Sequence, residues 1–446
     1  MDPVALNQHG IKVAKRLGAD DAILQTVVGK EHMLRFANDS LSVAKRTDEG
    51  VVTVYLAKGG KRVVGSSTNL TEERLSSFVE RLFKTMVNLS REAVFAPLPS
   101  SSKKFDRAGF VDRKLGDSEK EVPELAAVAI AAAKKAGAKR SAGTLEASLT
   151  TGHILASNGT SGRDASSRIL LNIRSFVDRN ASGHGLSCSA TLAGFDPEEA
   201  GRRAGSYARS MVNAKPPEAG TYQLLLSPTV AANLVSLTGD FASAFAVDAG
   251  TSYLVDKLGK KVASENFNLT DHGRMKGCLD GRSYDDEGIP TQSTRIIEGG
   301  VLRNYLHNLT TAKKFRAETT GNAGVIQPGC WNLEVGAGDS GYDEMVREMK
   351  HGIVLTSNWY TRFTNYRTGE FSTVPRDGAY LVENGKVTRS LAGMRVSDSL
   401  GRMFSSVRLL SKSREWVQWW EVDTPTLVPW LLVEGVSVTR AYGSSP

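Results

Sequence analysis

Tyr284-Asp285-Asp286-Glu287-Gly288-Ile289-Pro290-Thr291, followed shortly by Ile296-Ile297-Glu298-Gly299-Gly300-Val301-Leu302, is the stretch on which the fold of this chain turns. Gly299-Gly300 offers two residues free to take positive φ, so it joins a strand at Thr294–Ile297 to another at Val301–Leu306 as a tight hairpin. Three consecutive acids invite a paired-carboxylate reading, but successive residues on a strand point to opposite faces. A turn closed by Gly288 and Pro290, with aspartate side chains bonding local amides, is the plainer account of Asp285, Asp286, Glu287 and Gly288.

Short strands continue on both sides of this hairpin. Tyr222, Leu224 and Leu226 alternate with polar neighbours, and Asn384-Gly385 joins Tyr380–Val382 to Val387–Arg389. Residues 219–446 therefore read as a C-terminal β-rich domain, a large antiparallel sheet or barrel-like structure, interrupted by helices near Thr311–Ala317 and Tyr342–Met349. Upstream, a helix is expected over Pro3–Leu17. An antiparallel meander follows, with turns at Asn38-Asp39, Asp48-Glu49-Gly50 and Gly59-Gly60. Leu75, Phe78, Val79, Leu82, Phe83 and Met86 then form one continuous helical face. These elements make an N-terminal α+β unit, residues 1–100, closed by the Pro97–Ser102 linker. A central α+β unit, residues 116–218, has a helix from about Ser118, strands around Leu149 to Ile173, and a helix opened by Asp196-Pro197-Glu198-Glu199. The predicted class is α+β.

Composition narrows the function classes. A hydrophobic share of 40% with 23% charged residues fits a folded chain, and the longest apolar stretch, Leu125–Ala133, is far too short to cross a bilayer. The net charge of +8 is dispersed in lysine pairs, without the basic stripe and interleaved aromatics of a nucleic-acid groove. Cys188, Cys278 and Cys330 are far apart and have no CxxC spacing, so neither a disulfide framework nor a thiolate zinc site is indicated. The N-terminus lacks a signal-peptide pattern, and a cytoplasmic protein is expected.

The acidic DDEG stretch, the IIEGG hairpin, Tyr305-Leu306, Thr311-Ala312 and Thr320-Gly321-Asn322-Ala323 follow one another in the order of a known signature. Together they resemble the TldD/PmbA family of peptidases. Leu17–Ala22, Ser157-Asn158-Gly159, Ser227-Pro228, Thr424-Pro425-Thr426 and Leu432–Val438 extend the resemblance over nearly the whole chain. Similar proteins come in two kinds that pair as a heterodimer. The TldD kind binds zinc through a His-Glu-x-x-x-His helix and a distal cysteine; the PmbA kind, also called TldE, lacks them and completes the substrate channel.

The histidines assign this chain to the second kind. His9, His32, His153, His184, His272, His307 and His351 are widely separated, and no HExxxH or HExxH occurs. With Gly239-Asp240-Phe241 matched to the glycine-aspartate after the zinc helix, the ligand positions fall on Val230 and Val235 and the glutamate position on Ala231. Valine and alanine can neither bind zinc nor take a proton from its water. No cysteine follows Cys330. The resemblance implies no catalytic residue and no metal in this chain, with zinc in a TldD-like partner. It implies a peptide substrate, small or unfolded, and a heterodimer, with a homodimer left open.

Other candidates carry weaker signals. Thr320, Gly321 and Asn322 could present backbone amides to a substrate strand or simply form a loop. Trp416, Trp419 and Trp420 are either a partner-docking patch or core. His272 and Cys278, with Asp271, Asp280 and Asp286 nearby, could form the site of an autonomous hydrolase. A non-enzymatic binding module is the third alternative.

Overall fold

The computed structural model describes residues 2–105, 111–279, 281–324 and 326–440. Strands β1 (Asp21–Ala37), β2 (Ser40–Lys58), β3 (Lys61–Ser67), β4 (Lys104–Phe105), β5 (Arg140–Ala156), β6 (Ser161–Phe176) and β7 (Ser182–Ser189) form one sheet. Its order is β3-β2-β1-β5-β6-β4, with β7 also on β6. The strands of the first two sequence regions are thus continuous through the β1–β5 pairing, which runs from Ile23↔Ala156 to Phe36↔Gly143. One face is covered by α1 (Pro3–Arg16), α2 (Glu72–Val87), α3 (Glu121–Lys135) and α4 (Pro197–Ser210). Leu24, Leu34, Phe36, Leu145, Leu171 and Ile173 point into that helical side and form its cores. Gln25, Val27, Gly29 and Glu31 alternate with them and face the other way.

The expected turn at Asp48-Glu49-Gly50 does not occur. β2 runs straight through it, paired Lys30↔Asp48, Gly29↔Glu49 and Val28↔Gly50 with β1. The acids sit on a strand whose middle is exposed, where charge costs nothing. Gly50 serves a close approach instead, since a Cβ there would lie 2.4 Å from Leu70 Cδ1. Asn38-Asp39, Gly299-Gly300 and Asn384-Gly385 do turn the chain as read, with positive φ at both residues of each pair.

The second lobe contains β8 (Gly220–Leu226), β9 (Leu269–His272), β10 (Ser293–Glu298), β11 (Val301–Leu302), β12 (Leu333–Val335), β13 (His351–Leu355), β14 (Asn358–Asn365), β15 (Glu370–Pro375), β16 (Ala379–Glu383), β17 (Lys386–Ser390), β18 (Met394–Ser399), β19 (Val407–Trp419) and β20 (Val422–Arg440). Its helices are α5 (Pro228–Phe241) and the short α6 (Ala244–Asp248), α7 (Leu309–Phe315), α8 (Tyr342–Arg347) and α9 (Leu400–Ser405). The class is α+β, as expected, but the sheet is open rather than a closed barrel, and it is mixed. β12 runs parallel to β20, and β13 parallel to β8, while the remaining pairings in this lobe are antiparallel. β20 is the spine: it pairs with β12 and then β8 on one edge, and with β19 and then β18 on the other. α5 packs against β20 and is buried on almost every side, so it shows no amphipathic period, and only the family resemblance marked a helix there.

The lobes are clamped where β6 and β7 meet the loop before β16. Asp377, fully buried, accepts from Arg174 Nε at 2.8 Å and from the Ser182 hydroxyl. Beside it His184 bridges Asn172 Oδ1 (2.8 Å) and Ser357 Oγ (3.1 Å), and burial holds its pKa down to about 4.

A cavity between the lobes

The outward face of β1, β5 and β6 does not close on the second lobe. Between them lies a cavity of about 520 Å³. Its floor is Gln25, Val27, Thr150, Gly152, Asp164 and Ser166; its roof is Arg282, Tyr284, Asp286, Cys330, Trp331 and Asp423–Pro425. Two further hollows continue along the same sheet face, of about 410 Å³ and 350 Å³. The first shares Asp423 with the cavity, and the second shares Thr150 and Ser166. A polar trough therefore runs along the sheet.

The DDEG turn and the TGNA loop are laced into one roof. Asp285 is fully buried: Oδ1 accepts from Glu287 N (3.0 Å) and Ile289 N (2.9 Å), and Oδ2 from Ala323 N (3.0 Å). Asp286 N donates in turn to Ala323 O at 2.9 Å. Gly288 takes φ +73°, and a Cβ on Gly321 would lie 2.3 Å from Pro290 O, so both positions require glycine. Asn322 donates to Asp271 Oδ2 (2.6 Å) and Gly329 O (2.9 Å), while Asp271 Oδ1 accepts from Trp331 N and Asn332 N. Thr320 Oγ1 accepts from His307 N at 2.8 Å. The amide nitrogen of Asn322 and the hydroxyl of Thr320 are thus spent inside the fold, while the buried Asn322 Oδ1 has no partner among the described residues.

Burial dominates the electrostatics of this roof. It raises the Asp285 carboxyl well above the ordinary range, with the Glu287 charge adding to the effect. It pushes Asp271 up to about 7 against three hydrogen bonds that favour the anion, and Glu287 up to about 7 against the Leu309 N–H. Glu287 caps α7 through that N–H at 2.8 Å. Asp286 differs: its carboxylate pairs with Arg282 Nη2 at 2.6 Å at the cavity wall. Arg282 also lies 4.3 Å from the Trp331 ring centroid, and Trp331 Nε1 donates to Gly321 O. Oriented by these neighbours, the Gln25 amide accepts from Arg282 and donates to Asp286.

The zinc-helix positions lie elsewhere. Val230, Ala231 and Val235 sit on α5 inside the main core of the second lobe, none of them more than 2% exposed. The polar side chain between them, Asn233, is occupied by Asn358 Nδ2 (2.8 Å), Thr361 Oγ1 (2.6 Å) and Glu421 O (2.6 Å). These positions offer no nitrogen, sulfur or carboxylate donor and do not fit zinc. Among the described residues, no three of His, Cys, Asp and Glu are grouped so as to hold a metal ion.

The His272 cluster is dispersed. His272 Nε2 meets Glu334 Oε2 at 2.6 Å and Nδ1 meets Ser293 Oγ at 2.8 Å, while Asp271, its neighbour on β9, points to the opposite face. Cys278 is buried, Asp286 is held by Arg282, and Asp280 lies outside the described residues. The tryptophans divide between interior and surface, Trp419 ending β19 and Trp420 lying in the turn beyond it. Trp419 is buried against Trp359 and His184; Trp420 is 51% exposed beside Tyr360 at the mouth of the adjoining hollow; and the Trp416 carbonyl accepts from the Cys188 thiol. Gln25, Asp164 and Asp423 were invisible as site residues, since only the tertiary fold brings them together.

Two lobes of this design, an open mixed sheet over a helix-backed largely antiparallel one with a roofed trough between, define a two-lobed α+β fold. Three family models match in sequence order: PmbA/TldA metallopeptidase domain 1 at residues 27–86, the central domain at 114–212 and the C-terminal domain at 219–440. The chain belongs to the PmbA/TldD metallopeptidase family. A metalloprotease of Methanocaldococcus jannaschii is 32% identical over 215 residues, 46% of each chain. The metalloprotease PmbA of Escherichia coli O157:H7 is 27% identical over 188 residues, 41% of this chain and 40% of that one. The chain spans a little under half the length of these relatives. The crystal structure of TldE from Thermococcus kodakarensis superposes with a TM-score of 0.86 at 19% identity, covering 97% of this chain and 100% of that one, which is a likeness of fold.

Proposed function

We propose that this chain is the PmbA/TldE-type, metal-free subunit of a two-chain cytoplasmic peptidase. The observation that carries this reading is α5. The positions that match the zinc ligands and base are Val230, Val235 and Ala231, all sealed in a hydrophobic core. In this reading the hydrolytic chemistry belongs to a TldD-like, zinc-bearing partner. The present chain contributes channel wall: the polar floor of β1, β5 and β6 and the laced DDEG–TGNA roof bind and orient an extended peptide, and the narrow trough excludes folded substrates. Trp420 and Tyr360, both exposed, form the aromatic patch on which the partner is proposed to dock. No helix among the described residues is long and apolar enough to cross a membrane.

Reconstitution tests the proposal. The purified chain, a TldD-like partner and their mixture are assayed for cleavage of an unfolded polypeptide, with metal analysis of each. Stoichiometric zinc in the partner and cleavage dependent on mixing are expected. Peptidase activity and stoichiometric zinc in the present chain alone would overturn it.

A further inference from the structure

The edge of the first sheet beside β2 is only partly covered. β3 pairs with β2 from Val52↔Ser67 to Lys58↔Lys61, and among the described residues no strand lies beside residues 40–51 on the side away from β1. Side chains from Ser40 to Glu49 are exposed, Thr47 alone being half-buried, so neither face of this stretch is covered either. An open strand turns every second N–H and C=O to solvent and is a template for another strand.

The charges on this edge are ordered. Lys45-Arg46-Thr47-Asp48-Glu49 places two cations before a threonine and two anions after it. Lay a second copy of the strand antiparallel beside the first, with a twofold axis between the two Thr47 residues. Lys45 then stands opposite Glu49, Arg46 opposite Asp48, Ala44 opposite Gly50 and Val43 opposite Val51, and symmetry repeats each pair. Moving the axis to Lys45, Arg46, Asp48 or Glu49 sets like charges face to face. The charged pairs fall on opposite faces of the strand. Lys45, Thr47 and Glu49 border the 350 Å³ hollow of the trough, whereas Arg46 reaches Glu119 on the helical side. Lys45 and Glu49 are in no ion pair among the described residues, so a second copy gives each a first partner. Arg46 and Asp48, paired at 3.1 Å within the chain, exchange theirs. The ladder is bounded at both ends. Past Val51, Ser67 takes the place beside β2. Before Val43 the strand bulges, and the hairpin tip at Asp39 is tied to Ser141 of β5, on the far side of β1.

We infer that residues 43–51 of β2 are a self-association surface, on which a second copy of this chain pairs strand to strand about Thr47. The pairing joins the two first sheets into one and runs the floor of one trough into the other. Sedimentation equilibrium of the full chain over a range of concentrations, at low and high salt, tests it. A dimer is expected, loosened by salt. Lys45→Glu and Glu49→Lys each set two like-charge pairs across the axis and should weaken the dimer about tenfold. The melting temperature of the monomer should not change, because both side chains are exposed and unpaired. The double variant restores opposite charges and should recover the native affinity. A mixture of the two single variants should form the mixed dimer in preference to either homodimer, since one chain then offers two anions at the axis and the other two cations. A monomer at every concentration, unchanged affinity in the single variants, no recovery in the double variant or no preference in the mixture would each overturn the inference. The subunit reading fails separately: a chain that stays monomeric yet confers cleavage on the TldD-like partner refutes the self-pairing and leaves that reading standing.

Discussion

Replacing Asp285 separates a structural acid from a catalytic one. Its carboxylate satisfies three backbone N–H groups at 2.9–3.0 Å and is fully buried. Asp285→Ala leaves those donors without an acceptor, each costing about 1–3 kcal/mol. Relief from burying a carboxyl offsets part of this, so the net loss is about 3–5 kcal/mol. Asp285→Asn keeps an oxygen for Glu287 N and Ile289 N and sets an amide against Ala323 N, a loss of about 1–2 kcal/mol. Urea unfolding followed by tryptophan fluorescence and circular dichroism measures both through the midpoint of the transition that melts the second lobe, compared at constant slope. An alanine variant within 1 kcal/mol of the native chain, or an asparagine variant as damaged as the alanine one, would refute the view that Asp285 ties the DDEG turn to the TGNA loop.

Three further outcomes follow from the same physics. Ala231→Glu places a carboxylate in a sealed core and should cost at least about 3 kcal/mol or abolish folding; a soluble variant of native melting temperature would show that α5 opens to solvent. Asp271 has a folded pKa raised to about 7 from 3.8. The native state therefore holds a proton the unfolded chain has released, and this contribution, present at low pH, is lost as pH rises towards and through 7. Between pH 5 and 8 the native chain should lose about 2 kcal/mol relative to Asp271→Asn, measured by denaturation at each pH; parallel profiles would contradict it. Arg174→Ala strips the cation from buried Asp377 and should destabilise by about 2–4 kcal/mol. Limited proteolysis should show looser lobes, and unchanged protection would mean that the clamp is idle.

Much of the fold was legible because its punctuation is local. Residue pairs with positive φ, such as Asn38-Asp39 and Asn384-Gly385, declare hairpins wherever they occur. Thr71 and Asp196 cap the helices they precede. The misread turn at Gly50 shows the limit: glycine there answers the Leu70 side chain, a contact with no signature in sequence. α5 shows the opposite limit: only the family resemblance marked it, since a helix buried all round has no polar face to set its period. Of the cavity, the motif at 284–288 marked the roof. The floor could not be read, because Gln25, Thr150 and Asp164 are ordinary strand residues until β1, β5 and β6 set them side by side.

The spine strand β20 also bears on how the molecule is made. Its pairing with β8 joins Leu226 to Leu431, and without it β8, β12, β18 and β19 have no common neighbour. A ribosome-bound chain can assemble the first sheet as soon as residues up to Ser189 have emerged, since each of its pairings lies within that stretch. The second lobe has no such prefix. Its partial sheets, β8-β13-β16-β17, β11-β10-β9-β12 and β14-β15-β18, keep bare edges until residues 422–440 join them, an interval in which the nascent chain is open to aggregation.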